Sequence, residues 1–120
     1  MPTVLVAVAG ALGAVVRYRI GLAVGVRSFP WATLGINISG SFLLAVVLAG
    51  PAATRWSSST STAIAVGFIG AYTTFSTFGY ETITMVRTER TAEAIGYVAL
   101  SLIGGLAATG IGYMAGRSIA

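Results

Sequence analysis

Asn37 sits inside the uncharged run TLGINISGSFLL, Thr33–Leu44. An amide at membrane depth costs free energy unless it finds hydrogen-bond partners. Thr33, Asn37 and Ser41 recur at i, i+4 and i+8, so a helix places them on one face. That face is a row of uncharged donors, suited to lining a polar path. The plain alternative for Asn37 is an interhelical hydrogen bond. A second unusual run is GFIGAYTTFSTFGYE, Gly67–Glu81. Its core, TTFSTF, packs β-branched and hydroxyl residues that crowd a helix and compete for its backbone bonds. With Gly67, Gly70 and Gly79 nearby, the run predicts a break or unwinding. A break at membrane depth is tolerated where it is buried in protein or lines a cavity. Freed carbonyls there can hold a cation, and freed N–H groups and hydroxyls can contact an anion.

Phe75 and Phe78 are three apart and neighbour each other on a helix. The edge of a phenyl ring carries partial positive charge, so an edge-on Phe can face an anion without offering a titratable group. Alone, such a pair reads as core packing. Glu81 follows within one turn, as a proton carrier or as a residue of the membrane–water boundary, and its place near the end of its helix favours the boundary. Arg17 falls within the first apolar stretch, where it either snorkels or holds a vestibule positive and draws anions.

These residues need elements to position them, and the composition defines the setting. The chain of 120 residues is 56% hydrophobic and 8% charged, against about 25% charged in ordinary soluble domains. Such a chain must dissolve in lipid or be coated by something else. It has no Cys and no His, which excludes thiolate and imidazole chemistry. Its carboxylates are Glu81, Glu89 and Glu93, a poor set for an enzyme. The net charge of +4 comes from arginines placed singly near the ends of apolar stretches. They read as headgroup anchors rather than a nucleic-acid surface. The N-terminus lacks the basic lead of a signal peptide and is read as a retained helix.

Charge-free stretches long enough to cross about 30 Å of hydrocarbon predict an all-α integral membrane protein. Its four transmembrane helices are near Val4–Leu22, Trp31–Leu48, Thr62–Val86 and Ala92–Met114, the third broken. The chain reads as a single transmembrane domain. Pro30, Gly50-Pro51, the Ser57–Ser61 run and the charged Arg87–Glu93 run mark the connections. Loops one and three share one side, with Arg27, Arg87 and Arg90, while Arg55 and Arg117 lie on the other. The small difference gives little orientational preference and permits an antiparallel pair. Gly21 with Gly25, and Ala108 with Gly112 and Gly116, read as helix-packing surfaces.

GALGAVVRY at Gly10–Tyr18, TLGINISGSFLL and GAYTTFSTF together resemble the Fluc fluoride channels, also called the CrcB family. The resemblance covers the first three helices in order. It implies a fluoride-selective anion channel that passively exports fluoride across the cytoplasmic membrane, built as a dual-topology antiparallel homodimer with two pores at the interface. By similarity, Asn37 donates to the anion and Phe75 and Phe78 present ring edges to it. Ser76 and Thr77 fall in the broken turn of the third helix and contribute to the polar path. Tyr97 and Ser101 resemble the start of a hydroxyl track, Glu81 matches a carboxylate along the anion route, and Arg17 lies in the vestibule. The carbonyls of Gly70 and Thr73, two from each subunit, would bind a structural sodium ion (Na+) at the dimer centre. The sequence departs from the family pattern at Ala71, Ala32 and Ala45. Gly105 stands where the next hydroxyl of the track is expected, which puts the far end of the track in doubt. A competing reading is a small dual-topology proton-coupled multidrug or cation exporter, which needs an intramembrane carboxylate. Another is a non-transporting assembly subunit.

Overall fold

The computed structural model describes Met1–Ala120 and is entirely helical. Helix α1 (Pro2–Val24) opens with Pro2 in its first turn, where the missing N–H has no helical partner to lose. It ends at Gly25, whose φ of 76° lies in the left-handed region. Gly25 is thus a helix stop, and neither Gly21 nor Gly25 has a packing neighbour within the chain. Helix α2 (Trp31–Ala49) follows Pro30 and runs into a single turn, α3 (Pro51–Thr54).

The stretch predicted as the third span is the irregular one. It begins with α4 (Ser58–Thr62), capped by the Ser57 hydroxyl, which accepts from Thr60 N at 3.2 Å. A widened π-helical segment, Ala63–Ile69, leads into the short α5 (Gly70–Tyr72). The backbone extends at Thr73 and Thr74, and α6 (Phe75–Arg87) completes the span. A tight turn with Glu89 at φ 61° reverses the chain into α7 (Thr91–Ile119). The first and last helices run beyond their predicted ends, Leu22 and Met114, by a few residues.

Three helical stretches, Pro2–Val24, Trp31–Thr54 and Thr91–Ile119, are long and apolar enough to cross a membrane. Only 16 of 120 residues are buried, and large apolar side chains such as Leu12, Ile103 and Leu106 lie exposed on α1 and α7. In water that surface would be unfavourable; in lipid it is solvated. The protein is a multi-pass membrane protein.

Glycines set how closely the helices approach. A Cβ at Gly13 would lie 2.2 Å from the Phe68 carbonyl oxygen, so α1 touches the π-helical backbone directly. Gly112 and Gly116 do the same for α7 against α2, where added carbons would meet Phe42 O at 2.4 Å and Val46 O at 2.7 Å. The bundle therefore has two tight pairs, α1 with the first half of the third span and α2 with α7. Helix α6 crosses to pack on α7, through a small core of Leu34, Met85, Ala94 and Tyr97. Arg90 ties the first and third loops together by donating to the Ser28 carbonyl and pairing with Glu93 at 2.7 Å. At the opposite end Arg55 donates to the Ile119 carbonyl.

Candidate functional site at the break in the third span

The break falls at Thr73–Thr74, two to three residues before the turn holding Ser76 and Thr77. Ser76 and Thr77 lie instead in the first turn of α6, which corrects their expected place in the broken turn. The sequence explains the shift: Thr74 is a strong N-cap. Its hydroxyl accepts from Thr77 N at 3.3 Å and donates to Thr77 Oγ1 at 2.9 Å, restarting the helix. Behind the break, Thr73 N and Thr73 Oγ1 both donate to Ile69 O at 3.1 Å.

Helix α2 clamps this extended backbone. Thr74 N donates to Asn37 Oδ1 at 2.8 Å, and Asn37 Nδ2 donates to Thr74 O at 3.0 Å. One amide thus satisfies both backbone groups of one residue, and a primary amide carries a second N–H beyond the one used. Gly40 makes the approach possible, since a Cβ there would sit 2.3 Å from Thr73 Cγ2. Ser39 Oγ and Tyr72 Oη lie 2.9 Å apart one turn away. On the other flank, Arg17 Nε donates to Ala71 O at 3.1 Å, so this guanidinium braces the break instead of snorkelling.

The diverted donors leave two carbonyls free. In a continuous helix Thr74 N would bond Gly70 O, and Thr77 N would bond Thr73 O. Asn37 takes the first donor and the Thr74 hydroxyl takes the second. The freed oxygens belong to the two residues expected to bind a cation, and both residues line the same cavity. Carbonyl oxygens suit a hard cation, and two of them leave most of a coordination shell to other ligands. The chain has no His/Cys/Asp/Glu cluster for a metal.

That cavity, of about 300 Å³, brings Asn37, Ser41, Phe75, Phe78 and Ser101 together. The rings of Phe75 and Phe78 are 5.7 Å apart and tilted by 54°. Phe78 also meets the Tyr97 ring edge-on at 5.0 Å. Phe75 is 80% exposed, so one chain covers the cavity only in part. Arg17 and Thr77 line a separate cavity of about 270 Å³ on the other side of the break, with Thr33 and Thr74.

Two expectations change here. Thr33 shares its helical face with Asn37 but is buried and donates to Glu81 Oε2 at 3.1 Å, so the row of three donors contributes two to the cavity. Tyr97 was expected to open a hydroxyl track. It is fully buried and its hydroxyl donates to Glu81 Oε1 at 2.8 Å, so it supports Phe78 and Glu81 from behind. Glu81 accordingly sits half-buried among α2, α6 and α7 rather than at an open boundary. It faces a cavity of about 350 Å³ that also reaches Arg27 and Arg90. Sequence reasoning missed Ser39, Gly40, Tyr72 and the capping role of Thr74. The one available signal was Thr74-Phe-Ser-Thr77, a capping hydroxyl followed three positions later by a second hydroxyl where a capping box has Glu or Gln.

The family model for CrcB-like protein, Camphor Resistance (CrcB), matches residues 4–113. A fluoride-specific ion channel FluC of Bordetella petrii is 42% identical over 118 residues, covering 95% of this chain and 90% of the relative. The fluoride-specific ion channel FluC 1 of Desulfitobacterium hafniense is 43% identical, covering 89% of this chain and 96% of its own length. The FluC 2 of Geobacillus kaustophilus is 43% identical, with 93% and 90% covered. Matched along nearly its whole length by the family model and by these relatives, the chain belongs to the CrcB-like family.

Proposed function

We propose that this protein is a fluoride-selective ion channel, not an enzyme, and that it lets fluoride leave the cell passively across the cytoplasmic membrane. The observation that carries the reading is the convergence of Asn37, Ser41, Ser101 and the two Phe rings on one cavity beside a break in a membrane-spanning helix. Fluoride is small and tightly hydrated, and a bare ion in hydrocarbon is prohibitively unfavourable. Hydrogen bonds to an ion contribute about 1.5–3 kcal/mol each, so several uncharged donors in sequence can replace water without trapping the ion. Fixed charges at the narrowest point would hold it too long, since conduction needs weak, multiple sites. The names of the relatives point the same way.

The functional unit in this proposal is an antiparallel homodimer with two pores at its interface. Support comes from the high exposure of Phe75 and of Gly70, which leaves the cavity half-walled in a single chain. The near-balanced arginines of the two loop sets allow both orientations. A second copy would add its own Gly70 and Thr73 carbonyls to complete the shell of a sodium ion at the centre, fixing the two breaks against each other.

The exporter alternative needs a carboxylate free to exchange protons for substrate, whereas Glu81 is engaged by two hydroxyl donors. The test is fluoride efflux from liposomes holding only this protein, driven by a potassium gradient and read with a fluoride electrode. Fluoride efflux with chloride retained is the expected result. Chloride leaving as readily as fluoride refutes the proposal.

A further inference from the structure

We propose that Gly67 and Tyr72 are positioning residues for the helix break: they hold one surplus residue of the chain inside the π-helical segment, and so keep Gly70 and Thr73 in register with the cavity. The proposal concerns how the break is placed, and it stands whether or not the cavity conducts fluoride.

A π-helical turn closes i→i−5 bonds where an α-helix closes i→i−4, so it carries one residue more than the turn it replaces. Here Gly70 N donates to Ala65 O, five residues back, and passes over Val66. Val66 is 62% exposed, so its own packing does little to keep the surplus in place. The alternative is a slip. If the segment closed to an α-helix, Ile69 would move into the place of Gly70, Gly70 into that of Ala71 and Ala71 into that of Tyr72. The surplus would emerge in the extended backbone at Thr73. One residue is about 100° of helical rotation, enough to turn the Gly70 carbonyl away from its present direction. The Arg17 bond does not prevent this, because it reaches the backbone oxygen of Ala71 and would accept that of Gly70 equally.

Two contacts do distinguish the registers. Gly67 is seated on α1, where a Cβ would meet Ala9 Cβ and Val6 O, both at 3.0 Å. The slip brings Val66 to that seat, with a β-branched side chain against the α1 backbone. Tyr72 is buried, stacks on Phe68 with ring centroids 6.1 Å apart, and has its Oη 2.9 Å from Ser39 Oγ of α2. The slip brings Ala71 there, which empties an aromatic site and leaves no hydroxyl for Ser39. One contact lies on α1 and the other on α2, so the stretch between them is pinned at both ends.

Two one-residue deletions test this without any flux measurement. Deleting Val66 turns the Gly70 N to Ala65 O bond into an ordinary i→i−4 bond and leaves Gly67 and Tyr72 where they are. That variant is expected to melt within about 5 °C of the unaltered protein, the scale of a surface change. Deleting Ala71 shortens the chain equally, but it falls between the two contacts and forces one of them to break. It is expected to lower the melting temperature by about 10 °C or more, the scale of a lost buried aromatic. Val66→Gly added to the Ala71 deletion should recover part of that loss, because the residue then brought to the seat on α1 has no Cβ. If both deletions are tolerated, the register is free; if both are equally damaging, the segment holds no spare residue; either result overturns the proposal, as does the absence of recovery. Tyr72→Phe keeps the ring and removes the hydroxyl. Amide hydrogen exchange over Gly70–Thr74 should then quicken about threefold, the scale of one interhelical hydrogen bond in a membrane protein. Ser39→Ala should act alike, and the pair together should add nothing further. Unchanged exchange in Tyr72→Phe removes Tyr72 from the role.

Discussion

Asn37 has two roles in this account, clamp and donor, and two substitutions separate them. Asn37→Asp keeps an oxygen for Thr74 N, the 2.8 Å bond, and loses only the 3.0 Å bond to Thr74 O. Asn37→Ala loses both. Interhelical hydrogen bonds in membranes average about 0.6 kcal/mol, and leaving a buried backbone group unpaired adds about 1–3 kcal/mol. Alanine is therefore expected to cost about 2–3 kcal/mol of stability, and aspartate at least as much, because its charge faces the Thr74 carbonyl and loses its hydration beside the break. For conduction aspartate is the worse of the two. A carboxylate about 4 Å from a passing anion, at an effective permittivity near 20, repels it by about 4 kcal/mol, close to a thousandfold in occupancy at about 1.4 kcal/mol per tenfold. The assay is paired: thermal melting of the detergent-purified variants, and initial fluoride efflux from liposomes. The expected result is that both variants lose stability and that Asn37→Asp is the less conductive of the two. If Asn37→Asp conducts within threefold of the unaltered protein, Asn37 does not face the anion and acts only as a clamp.

Replacing the exposed Phe75 by Ile keeps most of the apolar volume and removes the ring edge; efflux should drop at least tenfold with little change in melting temperature, and unchanged efflux would exclude that ring from the path. Gly13→Ala is expected to destabilise the fold by about 1–3 kcal/mol, because its Cβ would lie 2.2 Å from Phe68 O. Gly96→Ala, which meets nothing within 4 Å, should melt within a degree or two of the unaltered protein; equal behaviour of the two would contradict the packing of α1 on the π-helical segment. Thr33→Val leaves one Glu81 oxygen without its 3.1 Å partner, and should lower stability by about 1–3 kcal/mol while Glu81→Gln in the same background recovers part of it. Melting curves of the single and double variants measure that coupling.

Much of the fold was legible because lipid imposes a simple rule. Uncharged stretches of about 20 residues become spans, and prolines, glycines and charged runs mark the turns. The break in the third span was legible too, since TTFSTF and its flanking glycines disfavour a continuous helix. Its register was not. Whether a hydroxyl caps the next turn or points elsewhere depends on a competition between Thr73, Thr74, Ser76 and Thr77, and Asn37 decides it from another helix through Thr74. Long-range partners of this kind have no local signature. Thr33 and Tyr97 illustrate the same limit. Both sit at the expected spacing, yet both are turned to Glu81, because an intramembrane carboxylate must find donors. The π-helical segment escaped notice because nothing in its own composition marks it; its backbone packs directly on Gly13 of α1. At Gly105 the missing side chain suggested a gap, and only the packing of α2 on α7 showed a serine beside it.

The central claim is that uncharged groups beside the helix break conduct fluoride down its own gradient. Recording current across a planar bilayer containing this protein, with fluoride unequal on the two sides, tests it most directly. The reversal potential should shift by about 59 mV for each tenfold fluoride gradient and stay fixed when pH or chloride alone is varied. A reversal potential that follows protons or chloride would contradict it.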